Sequence, residues 1–134
     1  MTYPENIQVM IDDFQFLDDW EDRYMHVIDM GKSLPPLPDE DRTEFNKVKG
    51  CASQVWLVTK RDAETLNFAG DSDAHIVKGL VAIVLQIYSG RTREDIKQLD
   101  ANDILDKLGL SEHLSAQRAN GLAAMIARIQ SEAT

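Results

Sequence analysis

The fold depends on one apolar stretch, residues 74–89, which has the sequence AHIVKGLVAIVLQIYS. Drawn as a helix, this stretch is apolar over most of its circumference, and such a helix is covered by its neighbours on nearly every side. The preceding GDSD at residues 70–73 marks a boundary, and Ser72 or Asp73 is expected to cap the helix. Gly90 is expected to end it. The pattern therefore predicts a central core helix at residues 74–89.

A β-hairpin is predicted before this helix. Val55–Arg61 and Thr65–Ala69 are rich in residues that favour strands, and the segment Asp62-Ala63-Glu64 between them suits a turn. A third strand is expected at Lys47–Lys49. The prolines of residues 33–46 block regular structure, so that segment is expected to be an ordered loop.

Helices are predicted on both sides of the sheet, because capping residues flank amphipathic stretches there. The expected end markers are Thr2 with Glu5 for a first helix, Asp18 or Asp19 and Gly31 for a second, Thr92 with Asp95 for a short one, Gly109 after another, and Ser115 for the last. The sum is an α+β fold, in which a small antiparallel sheet of about three strands packs against several helices. The whole chain, residues 1–134, is expected to form a single domain.

Charge and composition exclude several classes of partner. The chain has 14 Lys and Arg against 23 Asp and Glu, a formal net charge of −9. Nucleic acids and anionic membrane surfaces both require clustered cations, so neither is an expected partner. The N terminus lacks the basic and apolar regions of a secretory signal, and the apolar stretch is too short to span a bilayer. With one unpaired cysteine, a reducing cytoplasm is the expected location.

Cys51 is the only cysteine, so an internal disulfide and a thiolate metal site are both impossible, and no metal or cofactor is expected. Gly50 before it permits a sharp reversal of the backbone, and the small Ala52 and Ser53 after it leave the sulfur lightly shielded. A thiol at such a turn can enter a partner's pocket. The alternative is a small buried hydrophobe, which composition alone favours because free cysteines are commonly buried.

Other candidate chemistry is poorly supported by the sequence. A cysteine hydrolase needs a positioned base, and nothing in the sequence links any of the three histidines, His26, His75 and His113, to Cys51. The Asp71-Ser72-Asp73 segment lacks the further oxygen ligands of a calcium-binding loop. Arg118 is expected to pair with Asp73 and so to join the core helix to the last helix.

Ordered blocks along the chain resemble the SufE family, the sulfur-acceptor proteins of iron–sulfur cluster assembly. The matching blocks are Trp20 with Tyr24, LP at 34–35 with DEDR at 39–42, GCASQVW at 50–56, GDSDA at 70–74, IVKGL at 76–80, and Leu114, Arg118, Gly121 and Leu122. The resemblance covers nearly the whole chain in order. It implies a fold similar to the cluster scaffold IscU, with helices mainly on one face of a small sheet.

The resemblance also implies a function. Cys51 would take persulfide sulfur from a pyridoxal-phosphate cysteine desulfurase of the SufS or CsdA type, stimulate that enzyme, and deliver the sulfur to a downstream cluster scaffold complex. The protein would be a carrier rather than an enzyme. Gly50, Ser53, Asp73 and Arg118 would support the cysteine loop. Two alternatives stay open, namely a redox-active thiol protein and a desulfurase-stimulating binding module without covalent sulfur transfer.

The resemblance further implies that the free protein protects its thiol. A persulfide is vulnerable to reductants and to solvent, so the Cys51 side chain is expected to lie in an apolar pocket and to be exposed on docking. The expected floor of that pocket is Trp56 or Leu57 together with the near face of the core helix.

Overall fold

The computed structural model describes residues 3–134, and it has the predicted α+β architecture with a three-stranded antiparallel sheet. The elements in chain order are α1 (Glu5–Phe16), α2 (Trp20–Lys32), a 3-10 turn (Asp39–Asp41), β1 (Val55–Asp62), β2 (Thr65–Ser72), α3 (His75–Tyr88), β3 (Arg91–Thr92), α4 (Arg93–Gln98), α5 (Ala101–Leu108) and α6 (Ala116–Glu132). No helix among these residues is long and apolar enough to cross a membrane.

Helix α3 is the core helix that its sequence predicts. Ten of its residues are buried, and it packs against α2, β2, α6 and α1. The predicted cap is wrong, because the N-cap residue is Ala74, whose side chain makes no capping hydrogen bond; Ser72 Oγ accepts only the Ala74 amide (3.3 Å), outside the helix. Strand β2 continues to Ser72, and Asp73 is bonded to a different segment, so neither side chain serves as the N-cap.

The hairpin of β1 and β2 is confirmed, and the predicted third strand is wrong. The sheet order is β1-β2-β3, so the third strand is Arg91–Thr92, which lies beyond α3. Lys47–Lys49 makes a single bridge, between Lys47 and Trp56. Gly50 follows with a φ of +94°, and this reversal turns the chain away before a ladder can form.

Most of the predicted helix ends are confirmed. Asp19, Thr92 and Ser115 each accept a hydrogen bond from the backbone amide three residues later, and Gly109 ends α5 with a φ of 78°. Helix α1 differs, because Pro4 is its N-cap residue and has no side-chain hydrogen bond. Thr2, the other half of the expected capping box, lies outside the described residues.

Gly31 does not end α2 but lies inside it, where α2 crosses α3. A Cβ on Gly31 would lie 2.7 Å from the backbone nitrogen of Gly79, and a Cβ on Gly79 would overlap the Val27 carbonyl group. The two helix backbones are therefore in direct contact. This close crossing fixes α2 against the core helix.

Candidate functional site

Cys51 lies in the loop that leads into β1, and its half-buried side chain packs against α6. The thiol donates a hydrogen bond to the carbonyl oxygen of Gly121, with a sulfur–oxygen distance of 3.6 Å. A Cβ on Gly121 would lie 3.5 Å from Cys51 Sγ, so the sulfur rests directly on the backbone of α6. The loop is thus held against a helix that begins 65 residues later (116 − 51).

A cavity of about 360 Å³ opens beside the thiol. Its walls come from the cysteine loop, from the start of α3 and from the first half of α6: Cys51, Ala52, Ser53, Ala74, Ile76, Val77, Leu80, Ser115, Gln117, Arg118, Gly121 and Met125. The near face of the core helix is therefore part of the floor, as expected. Trp56 and Leu57 are not, because α6 supplies the rest of the lining.

The surroundings of Cys51 favour its protonated form. Burial raises the pKa of the Cys51 thiol above its usual value, because a thiolate loses hydration in the cavity. The nucleophile is the thiolate rather than the thiol. In this conformation Cys51 is consequently a slow nucleophile at neutral pH.

Gln54 and Asp73 close the far end of the cysteine loop. The Gln54 backbone amide donates to Asp73 Oδ1 (3.1 Å), and its side-chain amide donates to Asp73 Oδ2 (3.3 Å). In return, the Asp73 amide and the Ser72 hydroxyl both donate to the Gln54 carbonyl oxygen, at 3.3 and 2.7 Å. We call this group the Gln54–Asp73 clamp, and it ties the loop to the residues just before α3.

Arg118 lines the cavity, but the expected pair with Asp73 is wrong. No ion pair within residues 3–134 joins the two side chains, because the carboxylate of Asp73 is engaged by Gln54. The Arg118 guanidinium instead lies over the Tyr24 ring, 6.0 Å from its centroid. Tyr24 makes an edge contact with Trp20, with their centroids 6.1 Å apart. Tyr24 of α2, packed edge-on against Trp20, therefore holds this cation at the cavity.

The predicted site residues lie close together. Cys51, Ser53 and Arg118 line one cavity, Gly50 gives the loop its positive φ, and Asp73 binds the residue that follows Ser53. Their support of the cysteine loop stays a prediction.

Histidines are absent from the lining of this cavity. His26 makes an edge contact with Phe14, and His113 stacks on Trp20 with ring centroids 4.5 Å apart. Across residues 3–134 no group of three or more His, Cys, Asp and Glu residues is arranged to hold a metal ion. The lining supplies Cys51 with neither a histidine base nor a set of metal-ligating side chains.

Asp71 is a structural residue that the sequence interpretation missed. Its carboxylate is 1% exposed, pairs with Arg42 (2.7 Å) and Lys78 (3.3 Å), and accepts the Leu37 and Ser72 amides. Burial by itself raises the pKa of Asp71, but the two amides and Lys78 outweigh it and lower the pKa below its usual value. The sequence signal that could have indicated this ion-pair network was Lys78, because it is the only lysine or arginine in the mainly apolar core helix.

This Asp71 network joins three segments that surround the site. Leu37 and Arg42 belong to the proline-rich loop, Asp71 to β2, and Lys78 to α3. Arg42 also lies over the Trp56 ring at 5.3 Å from its centroid, next to the start of β1. The network therefore anchors both the strand that follows the cysteine loop and the helix that lines the cavity.

Comparisons with known proteins identify the family of this chain. The family model described as "SufE: Fe-S metabolism associated domain" matches residues 8–133. An uncharacterized SufE-like protein of Rhizobium meliloti is 61% identical over 132 residues, which cover 96% of this chain and 94% of that protein. A second SufE-like protein, of Rhizobium etli, is 58% identical and is covered over 89% of its length.

A solved structure shares the fold. The solution structure of a hypothetical protein from Thermus thermophilus matches with a TM-score of 0.79 at 19% identity, over 98% of this chain and 96% of that one. The chain belongs to the SufE family. Membership implies a part in iron–sulfur metabolism, with a cysteine desulfurase as partner.

Proposed function

We propose that this protein is a sulfur carrier, which accepts persulfide sulfur from a pyridoxal-phosphate cysteine desulfurase onto Cys51. The observation that carries the proposal is the placement of the only cysteine, on a loop over a cavity with a mixed polar and apolar lining that contains no histidine. A hydrolase would need a base at that place. A carrier does not, because its thiol can be activated in the site that it shares with its donor.

The transfer is an exchange between sulfur atoms. The Cys51 thiolate attacks the terminal sulfur of the persulfide on the desulfurase, and a new sulfur–sulfur bond forms at Cys51 Sγ. The bond between that terminal sulfur and the desulfurase cysteine breaks, and its electron pair leaves with the cysteine as a thiolate. That thiolate can take up the proton that Cys51 released. The step needs no oxidant or reductant from outside.

The cavity supports a second part of the proposal, namely that the thiol is unreactive until the desulfurase docks. The raised pKa of Cys51 keeps the free thiol protonated, and the contact with Gly121 keeps it against α6. Docking of the desulfurase draws the loop out of the cavity into the partner's site. Gly50, with its positive φ, lies at one end of the moving segment, and the Gln54–Asp73 clamp holds the other end.

Two further steps complete the proposed function. Removal of the persulfide sulfur frees the desulfurase for another turnover, so the carrier stimulates the enzyme. The loaded carrier then passes its sulfur to a downstream cluster scaffold complex by a second exchange of the same kind.

Mass spectrometry tests the proposal directly. The protein is incubated with the desulfurase and free cysteine without reductant, and the mass of the chain is measured. The expected product carries one additional sulfur on Cys51, and the variant Cys51→Ser carries none. An added oxygen would indicate a redox-active thiol, and stimulation of the desulfurase without any mass change would indicate a binding module. Either result contradicts the carrier function.

A further inference from the structure

Phe45 is a large apolar side chain that faces solvent. It is 85% exposed, and it lies on a turn six residues before Cys51. Isolated apolar side chains on a surface are ordinary, so exposure alone assigns it no role. Its setting distinguishes it, because hydrogen bonds hold the backbone of the turn, the turn adjoins the cysteine loop along α6, and cations lie on one side of it.

Hydrogen bonds hold the backbone of this turn. The Asn46 amide donates to Thr43 Oγ1 (3.2 Å), and the Asn46 side chain donates to the Asp41 carbonyl oxygen (2.9 Å). Arg128 of α6 donates to the carbonyl oxygens of Phe45 (3.0 Å) and Lys47 (3.3 Å). A ring presented on a fixed backbone loses little conformational entropy when it is bound, which favours it as a binding anchor.

Helix α6 shows how near Phe45 is to the thiol. Gly121 contacts Cys51, Ala124 faces Gly50, and Arg128 binds Phe45. These three helix residues are spaced by three and four positions, so they share one face. At 1.5 Å per residue, seven residues correspond to about 10 Å along the helix axis.

A partner that reaches Cys51 therefore extends over Phe45 as well. A standard protein interface covers about 800 Å² on each side, a patch roughly 30 Å across. The separation of about 10 Å along α6 lies well inside that patch.

Charge is unevenly distributed around Phe45. On the side of α6 and β1, Lys47 and Lys49 pair with Glu44, and Arg61 and Arg128 pair with Glu132, so four cations meet two anions. On the other side lies the acidic turn Asp39–Asp41, whose last carbonyl oxygen accepts the Asn46 side chain. The ammonium of Lys49 pairs with Glu44 at 3.0 Å, and both side chains are 78% exposed, so the pair is hydrated and a partner's carboxylate can also reach the ammonium. A surface complementary to these four cations is acidic.

We propose that Phe45 is an aromatic anchor for the cysteine desulfurase, and that it inserts into an apolar pocket on that enzyme whose rim is acidic on the side that meets Lys47 and Lys49. The proposal rests on the proposed function, because it requires the desulfurase to approach Cys51. Phe16 provides a matched comparison, since it is also 85% exposed. It ends α1 and is flanked by the acidic residues Asp12, Asp13, Asp18 and Asp19.

The experiment is a binding titration against the desulfurase holoenzyme of the organism that encodes this chain. All variants carry Cys51→Ser, so that binding is measured without sulfur transfer. Phe45→Ala is expected to raise Kd about tenfold or more, as the loss of an aromatic anchor does. Phe16→Ala is expected to leave Kd unchanged, and Phe45→Trp is expected to retain the wild-type Kd.

A pair of charge reversals tests the acidic rim. Lys49→Glu lies beside Phe45, and Lys97→Glu makes the same change on the exposed surface of α4. Lys49→Glu is expected to raise Kd more than Lys97→Glu does, and the difference is expected to shrink at high salt. Equal effects of the two reversals would contradict the acidic rim.

The proposal for Phe45 is overturned if Phe45→Ala binds as the parent does, if Phe16→Ala weakens binding equally, or if the parent does not bind the desulfurase. The proposed function fails by a separate result. A protein with native Cys51 that binds the desulfurase but gains no sulfur would contradict the carrier role, and the comparison of Phe45 with Phe16 would still stand.

Discussion

The Gln54–Asp73 clamp predicts how readily Cys51 becomes accessible. Asp73→Ala removes two hydrogen bonds, those from the Gln54 amide (3.1 Å) and the Gln54 side chain (3.3 Å). Both lie on an exposed carboxylate, so together they contribute about 1 to 2 kcal/mol to the closed loop. That change raises the population of the open loop about 5- to 30-fold.

The assay is the rate of alkylation of Cys51 by iodoacetamide in the free protein. We expect Asp73→Ala to react several-fold faster at the same pH. The gain is smaller than the full population change, because Cys51 is half-buried and the closed loop reacts as well. Folding stability is expected to change little, since Asp73 is exposed and does not cap α3.

Two controls distinguish the effect of loop opening on the alkylation rate from the effect of the lost charge. Because removal of a carboxylate also changes the local charge, the rate must be followed across pH to obtain both the pKa of Cys51 and the limiting rate. Asp73→Asn removes the same charge but keeps an acceptor for the Gln54 amide. We expect it to remain near the wild-type limiting rate. Equal limiting rates for Asp73→Ala and the wild type would refute the clamp and leave Asp73 without a role at the site.

Three other outcomes are expected. Gly79→Ala places a Cβ against the Val27 carbonyl, 2.6 Å from Val27 Cγ1, and the overlap outweighs the gain of about 1 kcal/mol in helix propensity, so chemical denaturation should show a net loss of about 2 kcal/mol. Asp71→Asn should reduce stability by about 2 kcal/mol at neutral pH. The folded pKa of Asp71 lies below its unfolded value of 3.8, so Asp71 stabilises the fold above pH 3.8, and this stabilisation is lost as pH falls through the lowered pKa. The free energy of unfolding of Asp71→Asn, measured against pH, should lack this loss at low pH. The alkylation rate of Cys51 should rise with pH at a higher midpoint in the folded protein than in the urea-unfolded chain, because burial raises the pKa of the thiol; coincident midpoints would contradict the sheltered thiol.

The core helix and the hairpin were predictable because their signals are local. Apolar periodicity over residues 74–89, a short turn at Asp62-Ala63-Glu64 and side-chain caps such as Ser115 act over a few residues. The third strand was not predictable in this way. Arg91–Thr92 is two residues long, too short for any pattern, and it becomes a strand only because the end of α3 brings it beside β2.

In the cysteine loop, too, features that depend on neighbouring residues were predictable and contacts with distant residues were not. The sequence by itself determined that Cys51 is the only thiol, that Gly50 turns the chain before it, and that a strand follows it, because each depends on neighbouring residues. Only the tertiary structure decided that α6 walls the cavity, that Asp73 binds Gln54 rather than Arg118, and that Asp71 is buried between two cations. Those contacts join residues from 7 to 70 positions apart, and their geometry is fixed by how the helices pack on the sheet, which no local pattern encodes.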